Sequence, residues 1–263
     1  NWAVGGAPGE YESSVDIMFP GDPAGVYQPT MDSAVNKLSK LTFEQAGWTI
    51  YGTPAWRGFV TYHSGDKTLY SNGAGTNTID ARFEVGDFSF DVGSNNILRF
   101  MATDSYGFTQ TGAIDISGGG TMVLDCPITM PSGQNMWIAD TDVNNATLLT
   151  NDVYEVSDFT IGSGGTVGGT GEIIGAERRD TNFGNGATMA PGGTGEYGDE
   201  VGTLRWSCFD DNPGPYVVSL NNGSTLAIDF LDAAADQVLF IGDMDKRLAI
   251  DRGATLSLAG SSS

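Results

Sequence analysis

Short runs of alternating apolar and polar residues dominate this chain, which is the period-two pattern of strands buried on one face. Examples are Ala81 to Val85, Phe88 to Val92 and Thr225 to Phe230. Gly, Asn, Asp and Ser separate the runs at short intervals, so few stretches can sustain a helix. The best helical candidate is Asp32 to Ser39, for which one or two turns are expected. The pattern predicts an all-β protein.

A short phrase precedes many of these runs: a glycine, a small or polar residue, a threonine, and then an apolar strand. The phrase begins at Gly119, Gly164, Gly186, Gly223 and Gly253, with a shorter form at Gly202. A degenerate phrase that returns about every 20 to 30 residues is typical of a repeat architecture. A coil of parallel strands accounts for such a repeat. Each rung points its apolar side chains into a central stack, and glycine adopts the backbone conformations that the corners between strands require. We therefore predict a single-domain parallel β-helix.

An antiparallel β-sandwich is the alternative fold. Asn72-Gly73, Asn185-Gly186 and Asn222-Gly223 are dipeptides that form tight two-residue hairpins between antiparallel strands. If these sites are hairpins, the sandwich is favoured over the coil.

The repeats divide the chain of 263 residues into three parts. We expect an irregular N-terminal segment or cap over 1–37, the β-helix over 38–258 and a tail over 259–263. About eleven rungs at ~4.8 Å each predict a rod of roughly 50 Å. The last repeat, Gly253 to Leu258, carries no polar cap, and unpaired strand edges are templates for another chain. We expect end-to-end or lateral self-association into a homo-oligomer, a filament through the helix ends or an array, with the N-terminal segment of one copy against this last rung of another.

Charge narrows the range of partners. There are 33 acidic residues against 12 basic ones, for a formal net charge of -21. Such a chain lacks the basic surface that binds nucleic acid and is repelled by anionic lipid. Its apolar runs are only a few residues long, so membrane insertion is not expected. The acidic exterior favours solubility and cationic partners.

The second half of the chain resembles a known family. Gly164 to Ile174 reads GGTVGGTGEII, Gly186 to Gly193 reads GATMAPGG, and the phrases from Gly202, Gly223 and Gly253 read GTLRW, GSTLAIDF and GATLSL. This succession resembles the autotransporter-associated β-strand repeat proteins, which include passenger domains and bacterial surface proteins with C-terminal sorting signals. The resemblance implies a right-handed parallel β-helix, secretion and display at the cell surface, and no common activity.

These features predict a secreted, non-enzymatic structural or surface-assembly protein. An adhesin or glycan-binding module is the alternative, since aromatic rings form rigid platforms for sugars. Aromatic residues crowd the first rungs at Trp48, Tyr51, Trp56, Phe59, Tyr62 and Tyr70. We expect them to cap the open core of the coil in preference to binding sugar.

A polysaccharide lyase or hydrolase is the third hypothesis. The paired carboxylates Asp210 and Asp211 suit glycoside hydrolysis if they meet a base such as Arg178 or Arg179 in one groove. His63 is the only histidine, and no Gly-x-Ser-x-Gly elbow accompanies it. We therefore predict no catalytic residue and interpret the acidic pair as a loop between rungs.

Calcium is the one cofactor that the residues suggest. Its hard oxygen ligands are available at Asp140, Asp142, Asp210 and Asp211. No calcium-binding loop motif surrounds these candidates, so the metal site stays a hypothesis.

Cys126 and Cys208 are the only cysteines. Secretion favours a disulfide between them. However, three to four rungs separate the two positions, or about 15–20 Å along the axis, whereas a bridge requires Cα atoms within about 7 Å. Both positions also fall in phase with inward-facing residues. We predict two buried thiols with no bridge between them.

Overall fold

The strands of this chain stack in register along one axis. The computed structural model describes residues 15–21, 30–31, 35–36, 38–52, 58–61, 67–101, 107–129, 140–175, 180–192, 201–208, 217–231, 234–241 and 247–261. Every regular element in these ranges is a β-strand. The helical turns predicted near residue 35 are wrong where that stretch is described, because its residues pair as strands. Within the same ranges there is no helix with the length and hydropathy needed to cross a membrane.

Three sheets, A, B and C, receive the strands in rotation, and the strands are numbered in chain order. Sheet A contains β1 (Val15–Phe19), β4 (Leu38–Phe43), β7 (Thr68–Ser71), β10 (Phe88–Val92), β13 (Ile114–Ser117), β16 (Thr141–Val143), β19 (Phe159–Ile161), β22 (Thr181–Phe183), β25 (Val217–Leu220) and β29 (Arg247–Ile250). Sheet B contains β2 (Thr30–Met31), β5 (Thr49–Gly52), β8 (Gly75–Asp80), β11 (Asn96–Phe100), β14 (Thr121–Leu124), β17 (Thr147–Thr150), β20 (Thr166–Gly169), β23 (Thr188–Pro191), β26 (Thr225–Leu231), β27 (Ala234–Ala235) and β30 (Thr255–Ser261). Sheet C contains β3 (Val35–Asn36), β6 (Gly58–Thr61), β9 (Arg82–Val85), β12 (Phe108–Gln110), β15 (Ile128–Thr129), β18 (Val153–Val156), β21 (Glu172–Gly175), β24 (Thr203–Cys208) and β28 (Gln237–Phe240).

The architecture is the predicted parallel β-helix. Neighbouring strands within each sheet belong to successive turns of the chain and run parallel, for example β10 beside β13 and β14 beside β17. Among the described strands, the one antiparallel ladder is the short β26–β27 hairpin. The sandwich alternative is therefore wrong. Its Asn-Gly dipeptides at 72–73, 185–186 and 222–223 lie at corners between sheets A and B.

The ladders extend beyond the helix boundaries expected from the repeats. Strand β1 lies before residue 38 and pairs with β4, whereas β30 continues to Ser261 and pairs with β26 over its whole length. Sheet A has ten strands in the described part of the chain, where about eleven rungs were expected. Nine spacings give an axial length of about 43 Å.

A continuous apolar column on the inner face of sheet A holds the rungs together. In register it contains Ile17, Leu41, Leu69, Phe90, Ile116, Val143, Ile161, Phe183, Leu220 and Ile250. The register persists although the coils differ greatly in length: Thr141 pairs with Phe159, whereas Thr181 pairs with the more distant Val218. Extra residues are accommodated between strands, so the core keeps its repeat.

The recurring glycine-threonine phrase forms the corner from sheet A into sheet B. Five of its threonines occupy one register position, at Thr121, Thr166, Thr188, Thr225 and Thr255, with Thr147 completing the row. The exception is Thr203, which lies in sheet C. At a representative corner Gly223 has φ +82°, and its N–H donates to the Gly253 carbonyl 3.1 Å away in the next rung. The phrase therefore marks a corner, as predicted.

Candidate functional site

The outer face of sheet A carries the described calcium candidates. Asp142 stands in register beside Asp115 of the preceding rung. The Asp158 backbone N–H donates to Asp140 Oδ1 at 3.4 Å. Burial raises the pKa of the Asp142 carboxyl, and the negative charge of Asp115 raises it further, while a hydrogen bond with Thr160 lowers it. The surroundings of Asp142 therefore disfavour the ionisation of that carboxyl.

The described residues of this face do not form a set of calcium ligands. Within the described ranges, no group of three or more His, Cys, Asp or Glu side chains is arranged to hold a metal ion. The other two candidates, Asp210 and Asp211, lie outside the described residues. Calcium stays a prediction.

The residues considered for catalysis also lie outside the described ranges. These are His63, Arg178 and Arg179, together with the acidic pair at 210–211. The hypothesis of a lyase or hydrolase groove therefore rests on sequence alone.

The described aromatic residues of the first rungs turn mainly inward. Phe59 is fully buried, and Trp48 is partly buried with its ring 5.2 Å from that of Phe19. Tyr70 is half-buried beneath the Lys40 ammonium, 4.8 Å from the ring centre. Of these four aromatic residues, Tyr51 is the one that is largely exposed, at 41%. This arrangement supports a structural role over a flat sugar platform; Trp56 and Tyr62 lie outside the described residues.

The cysteine positions agree with the expected rung count. Cys126 is 2% exposed and lies two residues before the start of β15, whereas Cys208 ends β24. Strands β15 and β24 are three steps apart in sheet C, or about 14 Å. That separation exceeds the span of a disulfide. Burial of Cys126 is confirmed, and the Cys208 side chain lies outside the described residues.

Buried polar networks replace the apolar stacks at two corners, and neither was predicted. In the first, Ser71 Oγ donates to Asn96 Oδ1 at 2.6 Å and accepts from Asn77 Nδ2 at 3.1 Å. In the second, Tyr154 Oη lies 2.5 Å from Thr141 Oγ1, and Gln110 Nε2 donates to the Asp140 carbonyl at 3.0 Å. The sequence contained one sign of the second network. Gln110 is polar, yet it lies two residues after the buried Phe108, at a position where the alternation places an inward-facing side chain.

The C-terminal end of the helix exposes its core positions. Ile250 continues the column of sheet A beyond the buried Leu220, yet it is 61% exposed. Six of the eight large apolar side chains that are most exposed among the described residues lie in the last two rungs: Phe230 (43%), Leu239 (46%), Ile241 (37%), Ile250 (61%), Leu256 (60%) and Leu258 (61%). Ile250, Leu256 and Leu258 continue inward-facing columns and are called the open end below. Leu239 does not belong to it, because it stands beside Arg205 on the outer face of sheet C.

Burial falls step by step toward the open end. On sheet B, Met189 is fully buried, its neighbour Leu226 is partly buried, and the next residue in the register, Leu256, is 60% exposed. On sheet C, Trp206 is fully buried, whereas its neighbour Phe240 is only partly buried. The inward side chains of the last described rungs are thus less covered than their register neighbours nearer the middle of the rod.

The N-terminal end differs. Ile17 and Phe19 lie in the first strand of sheet A, yet each is only 6% exposed. Phe19 also stacks on Phe43 with ring centres 5.2 Å apart. The inward side chains of the first described strand are therefore covered, and those of the last are not.

No family model, curated protein or solved structure matches this chain.

The open end is thus the candidate functional site, on the geometry of this molecule alone. The sequence indicated part of it, since the repeat from Gly253 to Leu258 lacks a polar cap, and the exposure of Leu256 and Leu258 agrees with that expectation. The contribution of Ile250 was not foreseen, because it lies in β29, before the last repeat.

Proposed function

We propose that this protein is a secreted, non-enzymatic structural β-helix that serves as a surface-assembly module and joins further β-structure through its open end. The observation that carries the proposal is the exposure of Ile250, Leu256 and Leu258 in register with buried core positions. Secretion and surface display are supported by the resemblance of the repeats to the autotransporter-associated family.

Strand β30 has none of the features that protect a sheet edge. Natural edge strands carry charged residues, proline or bulges, or they are short. Strand β30 has seven residues, TLSLAGS, without charge or proline, and its register with β26 is unbroken from Thr255 to Ser261. An edge of this kind accepts another strand.

Covering the open end stabilises an assembly through the hydrophobic effect. Burial of a leucine side chain contributes about 1.5–3 kcal/mol when it is complete. Leu256 and Leu258 are each about three-fifths exposed, so another layer of strands buries most of that area. The favourable contact is apolar and local to the end.

The sides of the rod oppose lateral association. The chain carries a net charge of -21, and polar or acidic residues such as Asp115, Asp142 and Asn182 face outward on sheet A. Like charges repel two rods that approach side by side. Contact through β30, which carries no charged residue, avoids this cost, so the charge distribution favours end-to-end assembly.

Sedimentation velocity over a wide range of protein concentration tests this proposal. We expect wild type to gain mass with concentration, and Leu256→Glu to remain monomeric because a carboxylate replaces a contact leucine. Ser163→Glu is the matched control, since Ser163 is exposed at a corner in the middle of the rod. A monomeric wild type at all concentrations, or equal association by both variants, would overturn the proposal.

Electron microscopy of the wild-type protein shows the form of the assembly. Objects longer than a single rod, joined at their tips, are expected. Rods packed side by side would contradict assembly through the end.

A further inference from the structure

We infer that Asn72 is a site of self-modification, where the side-chain amide is lost through attack by the Gly73 nitrogen while the fold protects the equivalent dipeptides. The sequence contains three Asn-Gly pairs, at 72–73, 185–186 and 222–223. Such pairs are prone to deamidation, because glycine has no side chain to hinder the attack and reaches backbone conformations closed to other residues. All three lie at corners between sheets A and B, so their surroundings can be compared directly. The inference does not depend on the proposed function.

The reaction requires only the chain and water. The Gly73 N–H gives its proton to hydroxide, and the nitrogen attacks Asn72 Cγ to form a new N–C bond. The bond from Cγ to Nδ2 breaks, and Nδ2 takes a proton from water and leaves as ammonia. Water then opens the cyclic imide at either of its carbonyls, which leaves aspartate or isoaspartate at position 72.

At two of the corners a hydrogen bond between rungs holds the attacking nitrogen. The Gly186 N–H donates to the Gly223 carbonyl at 2.9 Å, and the Gly223 N–H donates to the Gly253 carbonyl at 3.1 Å. Each bond must break before the nitrogen can lose its proton and turn toward the side-chain carbon. The stacking of the rungs therefore protects Asn185 and Asn222.

The side-chain amides at these two corners are also packed closely against the next rung. A Cβ on Gly223 would lie 2.1 Å from Asn185 Oδ1, and a Cβ on Gly253 would lie 2.3 Å from Asn222 Oδ1. Asn72 Oδ1 is less tightly packed, because a Cβ on Gly93 of the next rung would lie 3.3 Å from it. The Asn72 amide thus has more room to turn toward the attacking nitrogen.

The Asn72 corner leaves its nitrogen available. Within the described residues, the Gly73 N–H makes no hydrogen bond. Asn96 Nδ2 instead donates to the carbonyls on either side of this nitrogen, to Asn72 O at 3.0 Å and to Gly73 O at 2.8 Å. Loss of the Gly73 proton spreads negative charge onto the Asn72 carbonyl oxygen, and a hydrogen bond to a charged oxygen is stronger than one to a neutral oxygen. The Asn96 amide therefore favours the reactive form of the dipeptide.

Exposure alone predicts a different site. Asn185 and Gly186 are both exposed, whereas Gly73 is half-buried beside the exposed Asn72. If access of water controlled the rate, Asn185 would react first. The hydrogen bonds predict that Asn72 reacts first, so the order of the rates separates the two explanations.

Peptide mapping of aged protein tests the inference. Folded wild type is incubated at mildly alkaline pH, digested at acidic pH and analysed by tandem mass spectrometry for the change from amide to acid at each position. We expect Asn72 to react at least about fivefold faster than Asn185 or Asn222, the factor that corresponds to one hydrogen bond of average strength. The same incubation in denaturant is the control, and there the three rates should converge.

Ammonia release by two variants provides a second readout. Asn72→Gln should remove most of the early release from the folded protein, because glutamine must close a larger and less favoured ring. Asn185→Gln is the matched control and should leave the early release unchanged. Equal rates at the three positions, or a first reaction at Asn185 or Asn222, would overturn the inference. The same order of rates in denaturant would also overturn it, since local sequence and not the fold would then be the cause.

Discussion

The phenolic oxygen of Tyr154 lies 2.5 Å from Thr141 Oγ1 inside the β-helix, and both side chains are about 1% exposed. Tyr154 belongs to sheet C and Thr141 to sheet A, so the bond ties two sheets at a corner. Tyr154 Oη also lies 3.3 Å from Gln110 Oε1. A polar group enclosed in this way stabilises the fold only while all its partners are present.

Removal of the Tyr154 hydroxyl should destabilise the protein. Tyr154→Phe leaves Thr141 and Gln110 with fewer buried partners, at a cost of about 1–3 kcal/mol in the free energy of unfolding. Denaturant unfolding measures the change. Tyr70→Phe removes the same atom from a half-buried ring on the outer face and should cost less than about 0.5 kcal/mol. Equal effects of the two substitutions would show that the buried network contributes nothing.

Alkaline pH should destabilise the protein through the same residue. Burial raises the pKa of the Tyr154 phenol above its ordinary value. The folded state therefore favours the neutral phenol, and the unfolded state ionises first, near pH 10. Stability is complete below that pH and falls as the pH rises above it. Tyr154→Phe should lose stability less steeply than wild type in denaturant titrations at alkaline pH. Parallel slopes would contradict the assignment to Tyr154.

Alanine at Gly223 should be costly for two separable reasons. Gly223 has φ +82°, which an alanine adopts with strain, and a Cβ at this position would overlap the Asn185 side-chain oxygen of the preceding rung. Gly21 has φ +69° with open space around it, so Gly21→Ala measures the strain alone, about 1–2 kcal/mol.

We expect Gly223→Ala to lower the free energy of unfolding by more than Gly21→Ala does. The double variant Gly223→Ala/Asn185→Gly should recover the difference, since it removes the overlapping oxygen. An unchanged loss in the double variant would exclude this contact as the cause. Thermal and denaturant unfolding of the four proteins provide the comparison.

The acidic face of sheet A should make stability depend on mildly acidic pH. The pKa of Asp142 is raised by burial and by Asp115, so the folded state favours its protonated form. That contribution is complete below the ordinary aspartate pKa of about 4 and is lost as the pH rises through the raised value. Asp142→Asn should therefore stabilise the protein near neutrality and flatten the dependence of Tm on pH.

Asp115→Asn is the companion variant, because removal of its charge should lower the Asp142 pKa and shift the dependence to lower pH. Glu44→Gln, at an exposed turn, is the control and should leave the profile unchanged.

The same proteins test the metal hypothesis. Calcium bound at Asp140 and Asp142 would raise the Tm of wild type and not that of Asp142→Asn.

Much of the fold follows from short-range patterns. The alternation in Phe88 to Val92 assigns one face of β10 to the core, and Phe88, Phe90 and Val92 are buried as that pattern requires. The phrase from Gly223 assigns a corner followed by a strand, because positive φ and strand propensity are properties of neighbouring residues.

The candidate site could be predicted only in part. The uncapped last repeat is visible in the sequence at Leu256 and Leu258, but their exposure depends on what lies above them in space. Ile250 joins Leu256 and Leu258 at this end only because the coil returns each strand to its own sheet. The hydrogen bond between Tyr154 and Thr141 could not be predicted from the sequence either, because the two residues lie on different sheets.

The sequence by itself determined the class of the structure: short strands, glycine corners and inward apolar columns, all encoded within a few neighbouring residues. Tertiary structure decided which strands stack, where among the described residues the ladder begins, and that Ile17 and Phe19 are covered while Ile250, Leu256 and Leu258 are exposed. The physical reason lies in the connections between rungs. The entropic cost of closing a loop rises only slowly with its length, so Thr181 can pair with Val218 as readily as Thr141 pairs with Phe159. Packing between distant rungs, and not sequence spacing, therefore sets the register and leaves the open end.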